Sequence, residues 1–198
     1  MPAHIGSKVW CYAVQPTLLC TVNPLLLTII RRLLATVLFI ALAYLAFPWL
    51  DLAWYAVRLS SMPQPTELAM PVDAIDPHAL RDTWHAARAP NRRHEGIDIF
   101  AKKGTPVLAS TEGIVLRLEE TPVGGKVVWV LGPAGHHHYY AHLDRFGTVR
   151  AGDRLRAGTL LGYVGNTGNA KTTPPHLHYG VYADEGAINP YPLLGGRS

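Results

Sequence analysis

The sequence predicts a mainly β, compact antiparallel domain preceded by one transmembrane helix. Three observations carry that expectation. Leu33 to Leu50 contains no charged residue, a run that as a helix crosses about 27 Å, close to the hydrocarbon core of a bilayer. Beyond Ala87, short β-rich runs alternate with turn residues and few segments have helical periodicity. A chain of 198 residues has room for one soluble domain of ordinary size beside such an anchor.

Residues 1–32 form a cytoplasmic N-terminal segment in this reading. No charge falls between Lys8 and Arg31, but Gln15, Pro16, Asn23 and Pro24 interrupt the run. A second span and a translation start downstream of the first 22 residues are both open alternatives. Leu18-Leu19-Cys20 faintly suggests a lipoprotein cleavage site, and the bulky Leu19 argues against it. The span at 33–50 is preceded by Arg31 and Arg32 and followed by Asp51. The positive-inside rule therefore puts the N-terminus in the cytoplasm and everything after Leu50 outside the cytoplasmic membrane, in the periplasm where there is one. Trp49, Trp54 and Tyr55 would form an aromatic belt. A cleavable signal ending at Ala41-Leu42-Ala43 competes with this, but would leave the apolar stretch Tyr44 to Val57 on the mature end.

Residues 51–70, with Pro63 and Pro65, read as a short semi-extended tether, and 71–198 as the domain. Ala74 to Ala87 could hold a helical turn or two, and Arg88 to Arg93 a loop. Strands are expected at Ile97 to Phe100, Val107 to Ser110, Gly113 to Glu119, Lys126 to Leu131, His137 to His142, Thr159 to Gly165 and His176 to Tyr182. Gly124-Gly125 signals a hairpin and Gly132-Pro133-Ala134-Gly135 a second turn. The formal charge of +4 is mild and unclustered, so nothing points to nucleic acid. Both cysteines, Cys11 and Cys20, precede the anchor, leaving no thiolate chemistry for the domain.

The chemistry lies in three histidine clusters. In an extended strand His176 and His178 project to one side, about 7 Å apart, with Leu177 and Tyr179 on the other. His94 and Asp98 share a face where a loop enters a strand. The same parity puts Tyr140 with His142, opposite Tyr139, Ala141 and Leu143. A His, Asp, His trio with an open fourth position is the ligand pattern of a catalytic zinc, whereas structural zinc sites fill all four positions and favour cysteine.

In the order His94-x-x-x-Asp98, Tyr140-Ala141-His142-Leu143 and His176-Leu177-His178, the chain resembles the lysostaphin-type (LytM-like) zinc endopeptidases that cut peptide bonds in bacterial peptidoglycan. The framing segments Gly96-Ile97-Asp98-Ile99, Gly104-Thr105-Pro106-Val107, Ala151-Gly152-Asp153-Arg154-Leu155 and Gly162-Tyr163-Val164-Gly165-Asn166-Thr167-Gly168 match as well, so the similarity runs from Pro71 to Leu194. The resemblance implies a fold of the duplicated-hybrid-motif type with the cleft along one sheet. It implies that His94, Asp98 and His178 bind one Zn2+, and that peptidoglycan peptide stems are the substrate. It also implies that His142 and His176 stand free of the metal as catalytic groups, one taking a proton from water and the other serving the oxyanion or the leaving amine. Which does which stays open. Tyr140 is a candidate for substrate contact, for steadying His142, or for covering an edge strand. The alternative function is a non-catalytic relative that binds the wall or activates another hydrolase.

Pro174-Pro175 and Gly180 depart from the common pattern without touching the inferred ligands. Residues 165–172 nearly spell a phosphate-binding loop, but Ala170 replaces its second glycine and no βαβ pattern surrounds it, so no nucleotide is expected. His136 to His138 read as an exposed strand entrance, His78 and His85 as surface residues, and Glu95 faces away from His94.

Overall fold

The computed structural model describes residues 23–89 and 92–195. Cys11, Cys20 and the readings that concern the first 22 residues lie outside the described residues. The chain falls into two units, one ending at Phe47 and one starting at Pro48.

Helix α1 covers Pro24–Ser60. It starts at Pro24 because the Asn23 side chain accepts the Leu25 N–H at 2.9 Å, while proline at the first helical position has no N–H to leave unpaired. Among the described residues it is the one helix long and apolar enough to cross a membrane, with a mean hydropathy of 2.2 over its most apolar window. It exceeds the expected span at both ends, so the first ten residues of the expected tether at 51–70 are helical. The second unit explains why. Leu59 is fully buried, and the Tyr55 hydroxyl donates to Glu112 at 3.1 Å. The Arg154 guanidinium lies 4.5 Å from the Tyr55 ring centroid and meets the Asp51 carboxylate at 2.7 Å. Pro63 and Pro65 then fall in irregular chain, and by Leu68, whose N–H donates to the Leu193 carbonyl, the backbone has joined the domain.

Among the described residues the domain holds eleven strands: β1 (Ala87–Ala89), β2 (Arg92–Arg93), β3 (Ile97–Phe100), β4 (Pro106–Leu108), β5 (Gly113–Thr121), β6 (Gly125–Leu131), β7 (His137–Phe146), β8 (Arg154–Leu155), β9 (Leu160–Val164), β10 (His176–Ala183) and β11 (Gly186–Ile188). Each of the seven runs expected from sequence carries a strand. The others span two or three residues, too few for periodicity to show. Where one or two helical turns were expected, Pro77–Ala79 makes a single 3-10 turn, capped by the Asp76 carboxylate, and the expected loop at 88–93 contains the small antiparallel pair β1 and β2.

The main sheet runs β11-β10-β7-β6-β5-β8, with β3 on β10 and β9 bridging β7 and β4; every pairing is antiparallel. Alternation builds the core: Ile97 and Ile99 of β3, Leu177, Tyr179 and Val181 of β10 and Val128 and Val130 of β6 pack into one buried cluster, removing contiguous apolar surface from water. The opposite face of β3, β10 and β7 is left for the site.

Candidate metal centre and catalytic cleft

Strand β10 lies between β3 and β7, and its register sets the site. His178 is the direct partner of Asp98 on β3 and of Ala141 on β7. Directly opposed residues share a face, so Asp98, His178 and, two positions earlier, His176 project together. His94, just before β3, closes the group. Its Nε2 lies 2.8 Å from His178 Nδ1 and 3.2 Å from Asp98 Oδ1, and His178 Nδ1 lies 3.1 Å from the same oxygen. One donor atom from each of the three falls within 4.8 Å of the others, a group that could hold a metal ion.

The surroundings prepare these donors. His94 Nδ1 donates to the Thr83 carbonyl at 2.7 Å, which leaves the Nε2 lone pair free to coordinate. The Asp98 backbone N–H donates to Thr83 Oγ1 at 2.9 Å. Burial alone would raise the Asp98 carboxyl, but hydrogen bonds from His178, His94 and Arg88 outweigh it and hold the group well below the usual carboxylate range. Burial pushes the His178 imidazole down, against the pull of Asp98. Metal binding takes an ionised carboxylate and neutral imidazoles, and the donor set of one carboxylate and two imidazoles fits zinc by residue type and number.

His142 reaches the cleft by a backbone irregularity. On β7, Leu143 pairs with Lys126 and Tyr140 with Val128, one residue more than the partner strand supplies. His142 carries that bulge with φ 64, and bulges re-aim side chains. Strand parity would send His142 into the core; the bulge turns it to the cleft, with its ring 5.0 Å from His176 and 6.0 Å from His178. His142 Nδ1 donates to the Thr167 carbonyl at 2.9 Å and His176 Nδ1 to the Pro174 carbonyl at 2.9 Å, leaving Nε2 of each for chemistry. Burial, with His176 and His178 adjacent, pushes His142 down to about 4, so its imidazole is neutral at pH 7.

The same bulge corrects the expectation for Tyr140, which shares no face with His142. Tyr140 is fully buried, its hydroxyl accepts the Ser110 N–H at 3.0 Å, and it can neither touch substrate nor steady His142. Tyr139 takes the cleft position, its ring 5.8 Å from that of His178, and continues into Trp129 at 4.4 Å. Together with Arg88, Tyr182 and Asn169 these rings line a cleft of about 490 Å3 beside the metal group. The histidine tract is likewise more buried than expected. His137 is exposed, but His136, which caps the preceding 3-10 turn, and His138 are buried, the latter because even positions of β7 before the bulge face the core. His138 Nδ1 and the Tyr179 hydroxyl are 2.7 Å apart, and His138 Nε2 has no hydrogen-bond partner among the described residues. His78, His85 and Glu95 are exposed.

The turn between β5 and β6 and the loop at 165–170 meet at the cleft edge. Thr167 Oγ1 accepts the Lys126 N–H at 3.0 Å and donates to the Leu143 carbonyl at 2.8 Å. A Cβ on Gly125 would stand 2.1 Å from that hydroxyl, and one on Gly168 would stand 2.3 Å from the Gly125 nitrogen. The segment that imitates a phosphate-binding loop is thus a cleft wall carrying a short 3-10 turn, Gly168–Ala170.

Residues 92–190 match the family described as Peptidase family M23, half of the chain, including all five polar positions. The chain belongs to peptidase family M23. It is 36% identical over 140 residues to the L-Ala--D-Glu endopeptidase of Bacillus subtilis, covering 65% of this chain and 43% of that protein. It is 36% identical over 107 residues to the glycyl-glycine endopeptidase ALE-1 of Staphylococcus capitis, covering 51% and 29%. Among solved structures, the catalytic domain of lysostaphin from Staphylococcus simulans superposes with a TM-score of 0.53 at 28% identity, covering 60% of this chain and 93% of that domain. The chain thus spans less than half the length of the two curated relatives. Thr83 and Arg88 precede the M23-matched segment, and no sequence signal marks them; Tyr139 could have been found only by knowing which residue of β10 it faces.

Proposed function

We propose that the chain is a membrane-anchored zinc metalloendopeptidase that hydrolyses peptide cross-links of bacterial peptidoglycan. The observation that supports this most is the convergence of His94, Asp98 and His178 on one small volume, with the free nitrogens of His142 and His176 beside it. The relatives' names add weight, since both are endopeptidases.

A zinc ion held by the three donors supplies Lewis acidity toward a peptide carbonyl and lowers the pKa of water to about 7. The chain's own residues do the rest. His142, neutral at working pH with Nδ1 tied to Thr167, accepts the proton of the attacking water at Nε2. His176, with Nδ1 bonded to the Pro174 carbonyl and Nε2 3.8 Å from Asp98 Oδ1, has an Nε2–H only as the imidazolium; in that form it would donate to the carbonyl oxygen and then give that proton to the leaving amine. Tyr139 and Trp129 hold the peptide against the sheet. Helix α1 retains the enzyme at the cytoplasmic membrane, with residues 1–32 inside and the domain outside, facing the wall.

A zymogram on purified peptidoglycan with the full chain, with and without chelator and with His178→Ala, tests this. Lysis abolished by either treatment is the expected result. Lysis indifferent to both would reject the zinc mechanism, and no lysis by the zinc-loaded wild type would favour the non-catalytic alternative. Mass analysis of released muropeptides would identify the bond cut.

A further inference from the structure

Phe100 is a large apolar residue left 47% exposed, and its place in the sheet is specific. It is the direct partner of His176 across β3 and β10, as Asp98 is of His178, so it stands on the same face as the candidate site. Its ring tilts 41° against the His176 imidazole with 5.3 Å between centroids, while the His142 ring meets that imidazole from β7 at 5.0 Å. His176 is thus flanked by His142 on one strand and by an open phenyl ring on the other.

Register gives this face two ends. Tyr139 is the direct partner of Gly180 on β10, four positions beyond the partner of Phe100, a separation of about 14 Å at roughly 3.4 Å per residue. His178 lies midway. An extended peptide laid on this face from Tyr139 across the three donors reaches His176 and Phe100 on the far side. In the mechanism above His176 gives a proton to the leaving amine, so the residue that supplies that amine sits at the Phe100 end. A glycine there buries almost nothing against the phenyl ring, whereas a carbon side chain covers it and removes apolar surface of both from water. We propose that Phe100 is a specificity-determining residue. It favours bonds whose leaving amine belongs to a residue with an aliphatic carbon chain over bonds between glycines.

This inference deepens the endopeptidase reading and rests on it, including the role given there to His176; the test separates the two. The full chain in detergent, loaded with zinc, would be assayed on two isolated muropeptide dimers, one cross-linked directly through the amine of a diamino acid and one through a glycine bridge. Released amino termini give the rates, and mass analysis gives the bond cut. Wild type is expected to cut the direct cross-link with a kcat/KM at least about tenfold above that for any glycyl-glycine bond. Phe100→Ala should lose most of that ratio through a higher KM on the direct cross-link, and Phe100→Leu, still apolar, should keep it. A wild type that cuts glycyl-glycine bonds as readily would overturn the inference, as would a Phe100→Ala variant with an unchanged ratio. A Phe100→Ala variant slowed equally on both dimers would overturn it too, because the ring would then only steady His176. Turnover of neither dimer by the zinc-loaded wild type would overturn the endopeptidase reading itself.

Discussion

The carbonyl oxygen of Thr83 lies 2.7 Å from Nδ1 of His94, while the hydroxyl of the same residue accepts the backbone N–H of Asp98. One threonine outside the M23-matched segment thus orients two of the three residues that could hold a metal ion. Thr83→Val keeps the carbonyl but leaves the Asp98 N–H without a partner, an omission worth about 1–3 kcal/mol when buried. Zinc affinity is expected to fall roughly tenfold or more, and Thr83→Ser to preserve it. Chelator competition reads both, and a valine variant binding like wild type would remove Thr83 from the site.

His142→Ala should separate catalysis from metal binding. Loss of a proton acceptor costs about 100- to 10,000-fold in turnover, whereas no donor of the metal group is touched. Metal content by mass spectrometry is expected to match wild type while wall lysis drops by that margin. A variant that also lost its metal would make His142 a ligand instead.

The pH dependence of stability falls partly on His138. Burial, with His136 and His137 adding to it, lowers this imidazole to about 3, below its ordinary value of about 6.5. The unfolded chain therefore takes up the proton first as the solution is acidified. The contribution of the neutral buried form is complete above about pH 6.5 and is lost progressively as the pH falls toward 3, by an amount on the order of a few kcal/mol. Denaturant titrations of metal-free protein at pH 7 and pH 4.5 should show a smaller difference for His138→Phe than for wild type; an equal difference would place the acid sensitivity elsewhere.

Gly96 lies between His94 and Asp98, and a Cβ there would meet the Tyr179 carbonyl at 2.6 Å and His178 Cε1 at 2.8 Å. Neither neighbour can yield, one being sheet backbone and the other a ring fixed by Asp98. Gly96→Ala should cost about 1–3 kcal/mol by overpacking and weaken zinc binding. Melting curves with and without zinc would show both effects, and unchanged curves would refute the contact.

Leu59 ends the long helix inside the second unit with no exposed surface. Truncating a buried leucine costs about 2–5 kcal/mol, so Leu59→Ala in the full chain should melt several degrees below wild type. If it does not, the last turn of α1 contributes nothing to the domain.

The sequence was legible where chemistry and periodicity coincide. Parity puts His94 with Asp98 and His176 with His178 on shared faces, and the structure brings the four to one face, because they sit on or beside regular strand. His142 was found by motif but given the wrong reason: parity put it with Tyr140, and only the extra residue of β7 brings it to the cleft. Tyr139 was missed for the same cause. The helix outran its apolar span because Tyr55 and Leu59 dock on the domain, a long-range contact that a hydropathy count does not contain. Thr83 and Arg88 were invisible because a carbonyl has no sequence signature and an arginine in an expected loop looks like solvated surface.

The meeting of Gly125, Thr167 and Gly168 bears on any attempt to retarget the enzyme. These two cleft walls share hydrogen bonds and leave no space for a single added carbon, and one of them also anchors the imidazole of His142. Swapping either loop alone from a homologue would bring a foreign partner into a fitted joint and unsettle the His142 imidazole. The two walls form one fitted unit, to be transplanted together or left in place.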